Sequence, residues 1–345
     1  MRPTVHDIAA EAGVSLATVD RVLNKRPGVR AVTRDKVERA IETLGYVRDV
    51  TAANLAKGRT YPLVFIVPAG DNSFMRGLEV EVRAAIARSA AERTEITILS
   101  VPAFNPQALA EALEEAHRRQ PAGVAVVAID APEVTAAVKR LRDDGIAVVT
   151  LVSDLPGSAR DHFAGIDNIA AGRTAGNLIG RFLGSREGPV AVLAGSMLVR
   201  DHRDRLEGFH AVMRDHFGAR ALLPVIEGQD DAVLAQKLVA ALLAAQPDLA
   251  GIYSLGAGNR GLVAALETAG KAETICVVAH ELTPYSRAAL VSGTIDVILN
   301  QDAGHEVRSA IRVLKAKADG LPVIAAQERI RIDIFLKDNL PNGQA

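Results

Sequence analysis

The clearest chemical spacing in the chain is Gly256-Ala257-Gly258-Asn259-Arg260-Gly261, a G-x-G-x-x-G pattern between an apolar strand and a helical stretch, with Glu281 following at the end of the next strand. In such a pattern the glycines let backbone approach a pyrophosphate, and the acid accepts a ribose hydroxyl; the matching chemistry is that of a nicotinamide-dependent dehydrogenase. The pattern falls late in the chain, however, and no nucleophile or acid–base pair accompanies it. His202, His280 and His305 are scattered without metal-ligand spacing, and the single cysteine, Cys276, sits in the apolar run Thr274-Ile275-Cys276-Val277-Val278. That is a strand-core position, and one cysteine builds neither a disulfide nor a zinc framework. The expectation is a protein that is not an enzyme and needs no cofactor and no metal. Ligands bind at the carboxyl ends of parallel strands whatever the chemistry, so Asn259 and Glu281 are expected at a site on either reading.

The elements that must position such a site occupy most of the 345 residues, 49% of them hydrophobic. That is enough for one large α/β core or two lobes, plus a small appendage. Lys and Arg outnumber Asp and Glu 11 to 7 in residues 1–60 but trail 29 to 34 in the rest. A basic head on an acidic body points to a polyanion as the head's partner. No apolar span approaches 18 residues, and the start lacks the long apolar stretch of a secretory signal, so a cytoplasmic protein without membrane contact is expected.

From Tyr61 onward, short apolar strands alternate with helical stretches, the grammar of βαβ units. Strands are expected at Leu63–Val67, Glu95–Ser100, Gly123–Val127, Ala147–Leu151, His162–Ile166, Pro189–Ala194, Ala221–Ile226, Gly251–Ser254, Thr274–Ala279 and Asp296–Asn300. These make two doubly wound parallel-sheet lobes in series. Residues 4–45 instead read as an all-α head of three short helices. Thr4 with Asp7 has the pattern of a capping box, Gly13 breaks the chain, and Ser15 can cap a second helix. That helix carries Val19, Val22 and Leu23 on one face and leaves Leu16, Ala17, Asp20 and Arg21 largely on others. Thr33 is expected to cap the third helix, which runs through Val37, Ile41 and Leu44 to Gly45.

The segment Thr4-Val5-His6-Asp7-Ile8-Ala9-Ala10-Glu11-Ala12-Gly13-Val14-Ser15-Leu16-Ala17-Thr18-Val19-Asp20-Arg21-Val22-Leu23-Asn24 closely resembles the helix-turn-helix head of the lactose-repressor (LacI/GalR) family. The likeness continues through Thr33-Arg34-Asp35-Lys36-Val37 and Leu44-Gly45-Tyr46. It implies double-stranded operator DNA as partner, with the second helix in the major groove. On this resemblance Leu16, Ala17 and Arg21 read base edges, Arg21 having the reach for guanine O6 and N7. Ser15 and Thr18 belong to the same DNA-binding set. Thr4, Asn24 and Thr33 suit phosphates, and suit helix caps equally well. Asp20 departs from the serine usual in the family; Arg21 or a cytosine amino group could pair with it. Thr51-Ala52-Ala53-Asn54-Leu55-Ala56 resembles the family's hinge helix, with Leu55 as the minor-groove wedge and Ala53 where arginine is usual.

The body, essentially residues 61–336, resembles the type I periplasmic-binding-protein fold that carries effector sites in this family. The implied division is a DNA-binding domain at 1–46, a hinge at 47–60 and an effector-binding domain at 61–345. Its first lobe is expected at about 61–166 and 297–325, its second at about 167–296 and 326–340. The implied effector-binding residues are Asn72, Phe74, Asp154, Arg205, Asn259, Glu281 and Gln301, a mixed set suited to a neutral sugar or polyol. A secreted sugar-binding transport protein would share this body but has no use for a DNA-reading head. One head reads one half-site, so a homodimer is expected, its interface including the helix around Gly77–Ala91.

Overall fold

The computed structural model describes residues 3–24, 26–46 and 58–341. The chain divides into two compact units, Met1–Arg59 and Thr60–Ala345. In the first, α1 (Val5–Ala12), α2 (Leu16–Leu23) and α3 (Ala31–Leu44) pack around Ile8, Val19 and Val37, all fully buried. Burying each of these contributes about 1.5–3 kcal/mol. Thr4 and Asp7 close a capping box over α1, Gly13 ends it at φ 64°, and Ser15 caps α2 through the Thr18 amide. The first turn of α3 departs from expectation: its N-cap is Arg30, which makes no side-chain cap bond, and Thr33 already lies within the helix. Ala31 and Val32 continue the helical path upstream of Thr33, so its hydroxyl is not at the terminus.

The second unit contains two sheets. The first has the order β2-β1-β3-β4-β5, all parallel, built from β1 (Tyr61–Ala69), β2 (Thr94–Pro102), β3 (Gly123–Val126), β4 (Ala147–Leu151) and β5 (His162–Ala164). Residues alternate along β1, sending Leu63, Phe65 and Val67 to one face and Val64 and Ile66 to the other. Helices α4 (Ser73–Ala87) and, from much later in the chain, α12 (Ala303–Ala318) cover the first face; α5 (Pro106–Arg118) and α6 (Pro132–Asp143) cover the second. Both faces are dry, which is why the strands read as continuous apolar runs.

The second sheet runs β11-β10-β9-β8-β6-β7, from β6 (Val190–Ala194), β7 (Ile226–Glu227), β8 (Gly251–Ser254), β9 (Cys276–His280), β10 (Val297–Asn300) and β11 (Asp333–Phe335). One face is covered by α7 (Asn168–Leu183) and α8 (Arg200–Phe217). The other carries α9 (Ala232–Ala245), α10 (Asn259–Thr268) and α11 (Pro284–Ser292). The strand expected over Ala221–Ile226 is reduced to β7 and a bridge at Leu222, because Pro224 has no amide to give a ladder. The antiparallel β11 was not anticipated. The lobe boundary also moves: Val297–Asn300 pairs with β9 in the second sheet, so the chain returns to the first lobe after Asn300, not before it.

Two glycines bring α7 and α8 unusually close. A Cβ on Gly172 would lie 1.9 Å from the Arg205 carbonyl oxygen, and one on Gly208 would lie 2.1 Å from that of Ile169. This close crossing sets the start of α7 against the side chain of Arg205.

Candidate nucleic-acid interface and interlobe cleft

On the head, α2 buries Val19 and turns Leu16, Ala17, Asp20 and Arg21 to solvent. Most of the small polar groups around it are committed to holding the helix. Thr4 Oγ1 donates to Asp7 at 2.8 Å, and its contacts pull the Asp7 carboxyl below its usual value. Ser15 Oγ meets Thr18 Oγ1 at 3.0 Å. Asp20 is partnered by the Asn24 amide at 2.7 Å and Arg26 at 3.3 Å, not by Arg21. The Arg21 guanidinium makes no hydrogen bond or ion pair among the described residues and stands at the surface. Leu55, with the rest of residues 47–57 of the expected hinge, lies outside the described residues.

In the body, the carboxyl ends of the strands from both lobes face each other across a cleft. Asp71, Asn72, Ser73 and Phe74 from the first lobe and Asp230, Gly256–Arg260 and Tyr285 from the second line one compartment. An adjoining chamber, with about 520 Å³ of free space partly open to solvent, reaches from Pro68, Phe104 and Val127–Ile129 to Asp201, His202 and Asp230. With the lobes as they stand the two compartments have cavity volumes of about 40 and 50 Å³, room for a few water molecules. Among the described residues, positive φ at non-glycines gathers at these strand ends: Phe104 (55°), Val152 (60°), Gln229 (50°), Asp230 (57°) and Glu281 (70°). Such strain persists where surrounding structure fixes a functional geometry.

Arg205, Glu281 and Gln301 do come together, but as a closed, buried cluster. Arg205 is 1% exposed; its Nε donates to Asn168 at 2.7 Å, Nη1 to the Leu255 carbonyl at 2.6 Å, and Nη2 to Glu281 at 3.1 Å. Glu281 in turn accepts from the Gln301 side chain at 2.9 Å and the Gln301 amide at 3.2 Å. Asn168 and Gln301 lie on two of the three segments of chain that cross between the lobes, so the ion pair ties those two crossings together. Burial pushes the Glu281 carboxyl up, with Arg205 opposing that shift. The cluster sits directly beneath the cleft: a Cβ on Gly256 would come within 2.9 Å of Arg205 Nη1. The first glycine of the G-x-G-x-x-G pattern thus makes room for an arginine.

The remaining expected residues divide. Asn72 lines the cleft and caps α4 by accepting from the Phe74 and Met75 amides. Phe74 reaches the cleft edge but is 8% exposed and packed in the first lobe's core, so little of its ring is offered to a ligand. Asn259 is at the cleft, its side chain bridging Ser254 and the His280 carbonyl. Asp154 does not join the set: it is bound by the Arg160 guanidinium of its own loop and by the Thr150 hydroxyl of β4. Burial pushes the Cys276 thiol up to about 12, which disfavours the reactive thiolate.

Sequence reasoning missed Asp201, His202 and Asp230 as cleft residues. Asp201 and His202 are each 6% exposed, and Oδ1 of Asp230 has no hydrogen-bond partner among the described residues. Burial pushes the Asp230 carboxyl up, and the Asn72 amide and His202 draw it part of the way back. Their only sequence signal is position, just after β6 and β7.

The chain thus combines a three-helix head, whose second helix has an exposed face, with a two-lobed α/β body that has a strand-end cleft. Residues 4–49 match the bacterial regulatory proteins of the lacI family, and residues 63–322 match the periplasmic binding protein domain. The chain belongs to the periplasmic binding protein domain family over its body and carries a lacI-family helix-turn-helix head. Over 83 residues it is 43% identical to catabolite control protein A of Priestia megaterium, spanning 23% of this chain and 25% of that one. It is 29% identical over 225 residues to the HTH-type transcriptional regulator MalR of Streptomyces coelicolor, spanning 64% of this chain and 62% of the relative. Among solved structures, a glucose-galactose binding protein of Geobacillus stearothermophilus superposes with TM-score 0.73 at 21% identity, covering 82% of this chain and all (100%) of that one. A solute binding protein of Burkholderia graminis in complex with D-arabinose gives TM-score 0.74 at 21% identity, over 82% and 97%. These likenesses establish the fold of the body. Among the described residues, no helix is long and apolar enough to cross a membrane.

Proposed function

We propose that the chain is a transcription repressor that binds a pseudo-palindromic operator as a homodimer and is released from it by a small sugar or polyol held between the lobes. The observation that carries this reading is the outward face of α2, where Leu16, Ala17 and an unengaged Arg21 stand exposed while the surrounding polar groups maintain the fold. Such a face serves base readout in a major groove. The regulators named among the relatives support DNA as the partner, and the sugar-binding solved neighbours support a polyhydroxyl ligand. Leu55 in the hinge is the wedge that would bend the operator, and release on ligand binding is the favoured sign because catabolic sugar repressors of this family usually work that way. Selection from a random duplex library, followed by anisotropy with and without a panel of sugars and by light scattering, tests the proposal. A palindromic consensus, a dimer and sugar-dependent release are expected. Equal binding to all duplexes at physiological salt, or a stable monomer, would overturn it.

A further inference from the structure

The chamber beside Asp201 has two chemically opposite walls. The second lobe contributes carboxylates and an imidazole. Asp201 is 6% exposed, its carboxylate accepts no hydrogen bond among the described residues, and its nearest charged neighbour is His202 Nε2 at 3.8 Å. His202 Nδ1 lies 2.9 Å from the Ser196 carbonyl oxygen, with Nε2 on the side of Asp201. Asp230 adds an oxygen with no partner. Asp201 and Asp230 thus offer carboxylate oxygens to donors, and a buried acceptor without a partner, as Asp230 Oδ1 is, is costly until a ligand satisfies it.

The first lobe's wall is apolar: Val101, Phe104, Leu109, Val127 and Ile129. Its two polar side chains are already engaged. Ser153 Oγ accepts from the Arg200 and Asp201 amides, and Asn72 caps α4. Among the described residues no Lys or Arg lines the chamber: Arg200 and Arg203 are drawn to Asp204 and Asp130, and Arg260 lines the adjoining compartment, near Asp71. An anionic group such as a phosphate or uronate placed in this chamber would therefore meet two carboxylates with no Lys or Arg of the chamber's own lining to offset them. A fully hydroxylated hexose would press hydroxyls against carbon on the first lobe's side.

Building on the sugar reading of this cleft, we propose that the effector is an uncharged deoxysugar, with vicinal hydroxyls donating to Asp201 and Asp230 and its deoxygenated face packed on the Phe104–Val127–Ile129 wall. A 6-deoxyhexose has that division: a hydroxyl-bearing edge and a methyl group where the parent sugar carries a primary alcohol. Val127 and Phe104 are then specificity residues, selecting by the absence of a partner for the missing hydroxyl.

The test is calorimetric titration of the full chain with pairs that differ only at that carbon: L-rhamnose against L-mannose, L-fucose against L-galactose, and 6-deoxy-D-glucose against D-glucose. At least one deoxy member is expected to bind tenfold or more tightly than its parent, a difference of about 1.4 kcal/mol. Val127→Thr, which places a hydroxyl on the apolar wall at equal size, is expected to shrink that ratio. Asp201→Asn is expected to weaken both members of the pair. Parent sugars binding as tightly as the deoxy forms, or D-glucosamine binding more tightly than any of them, would overturn the inference and leave the sugar reading standing. Absence of binding by every sugar would remove both. The wild-type pair comparison decides the matter even if a variant fails to fold.

Discussion

The hydroxyl of Ser153, at the end of β4 in the first lobe, accepts a hydrogen bond from the backbone amide of Arg200, the first residue of α8 in the second lobe, at 3.1 Å. The helix has no cap of its own, since Val199 occupies the N-cap position and offers no side-chain acceptor. One lobe therefore caps a helix of the other, and separating the lobes exposes those amide donors again. Ser153→Ala should lower the stability of the unliganded chain by about 1 kcal/mol, the ordinary value of a lost N-cap. Ser153→Thr, which keeps the oxygen, should lose less. Urea midpoints measure this, and an alanine variant with the wild-type midpoint would show that the contact between lobes contributes nothing.

Arg21→Ala should cost about 1–3 kcal/mol of operator affinity and relax preference at one base pair per half-site. Binding to random duplex should fall less, because the phosphate contacts that dominate it are made elsewhere. Competition titrations against operator and random DNA separate the two effects. Equal losses on both would reduce Arg21 to a phosphate contact.

How far the sequence reveals these features depends on how local their causes are. The capping box of Thr4 and Asp7, the Gly13 turn and the Ser15 cap each involve partners within a few residues, and they stand where the spacing places them. Thr33 failed as a cap because the helix had already begun at Ala31. Arg205, Glu281 and Gln301 were legible as strand-end polar residues, since parallel topology gathers carboxyl ends on one edge. Their saturation by Asn168 and the Leu255 carbonyl was not, because it depends on the close crossing of α7 and α8. Asp201 and Asp230 gain their meaning only from the apolar loops of the other lobe opposite them, and no local pattern encodes that juxtaposition.

Arg205 and Glu281 should behave as structural residues of the crossings first. Removing one partner of a fully buried pair leaves the other charge without compensation, which typically costs about 3–5 kcal/mol. Arg205→Ala and Glu281→Ala are therefore expected to lower the melting temperature markedly, each more than Asn259→Ala. A change in effector affinity at unchanged melting temperature would instead make Arg205 a direct ligand contact.

Glu306 gives the chain a pH dependence whose sign is fixed by its surroundings. It projects from α12 of the first lobe, is fully buried, and neither of its carboxyl oxygens has a hydrogen-bond partner among the described residues. Burial pushes its pKa well above the ordinary value of 4.5, and the nearby Glu281 adds to the shift while Arg205 opposes it. The folded chain thus keeps a proton that the unfolded chain releases near 4.5. Below that value the favourable contribution is fully present; as pH rises toward the raised folded value, the unfolded state binds fewer protons and stability declines. Asp230 and Glu281 are raised as well and act in the same direction, so the diagnostic quantity is the difference between wild type and Glu306→Gln. The glutamine variant cannot ionise, and its stability relative to wild type should increase from pH 4 to pH 8. Urea unfolding at one-unit intervals across that range measures the difference. A difference independent of pH would mean that Glu306 titrates alike in both states, with its buried oxygens matched by a partner in solution.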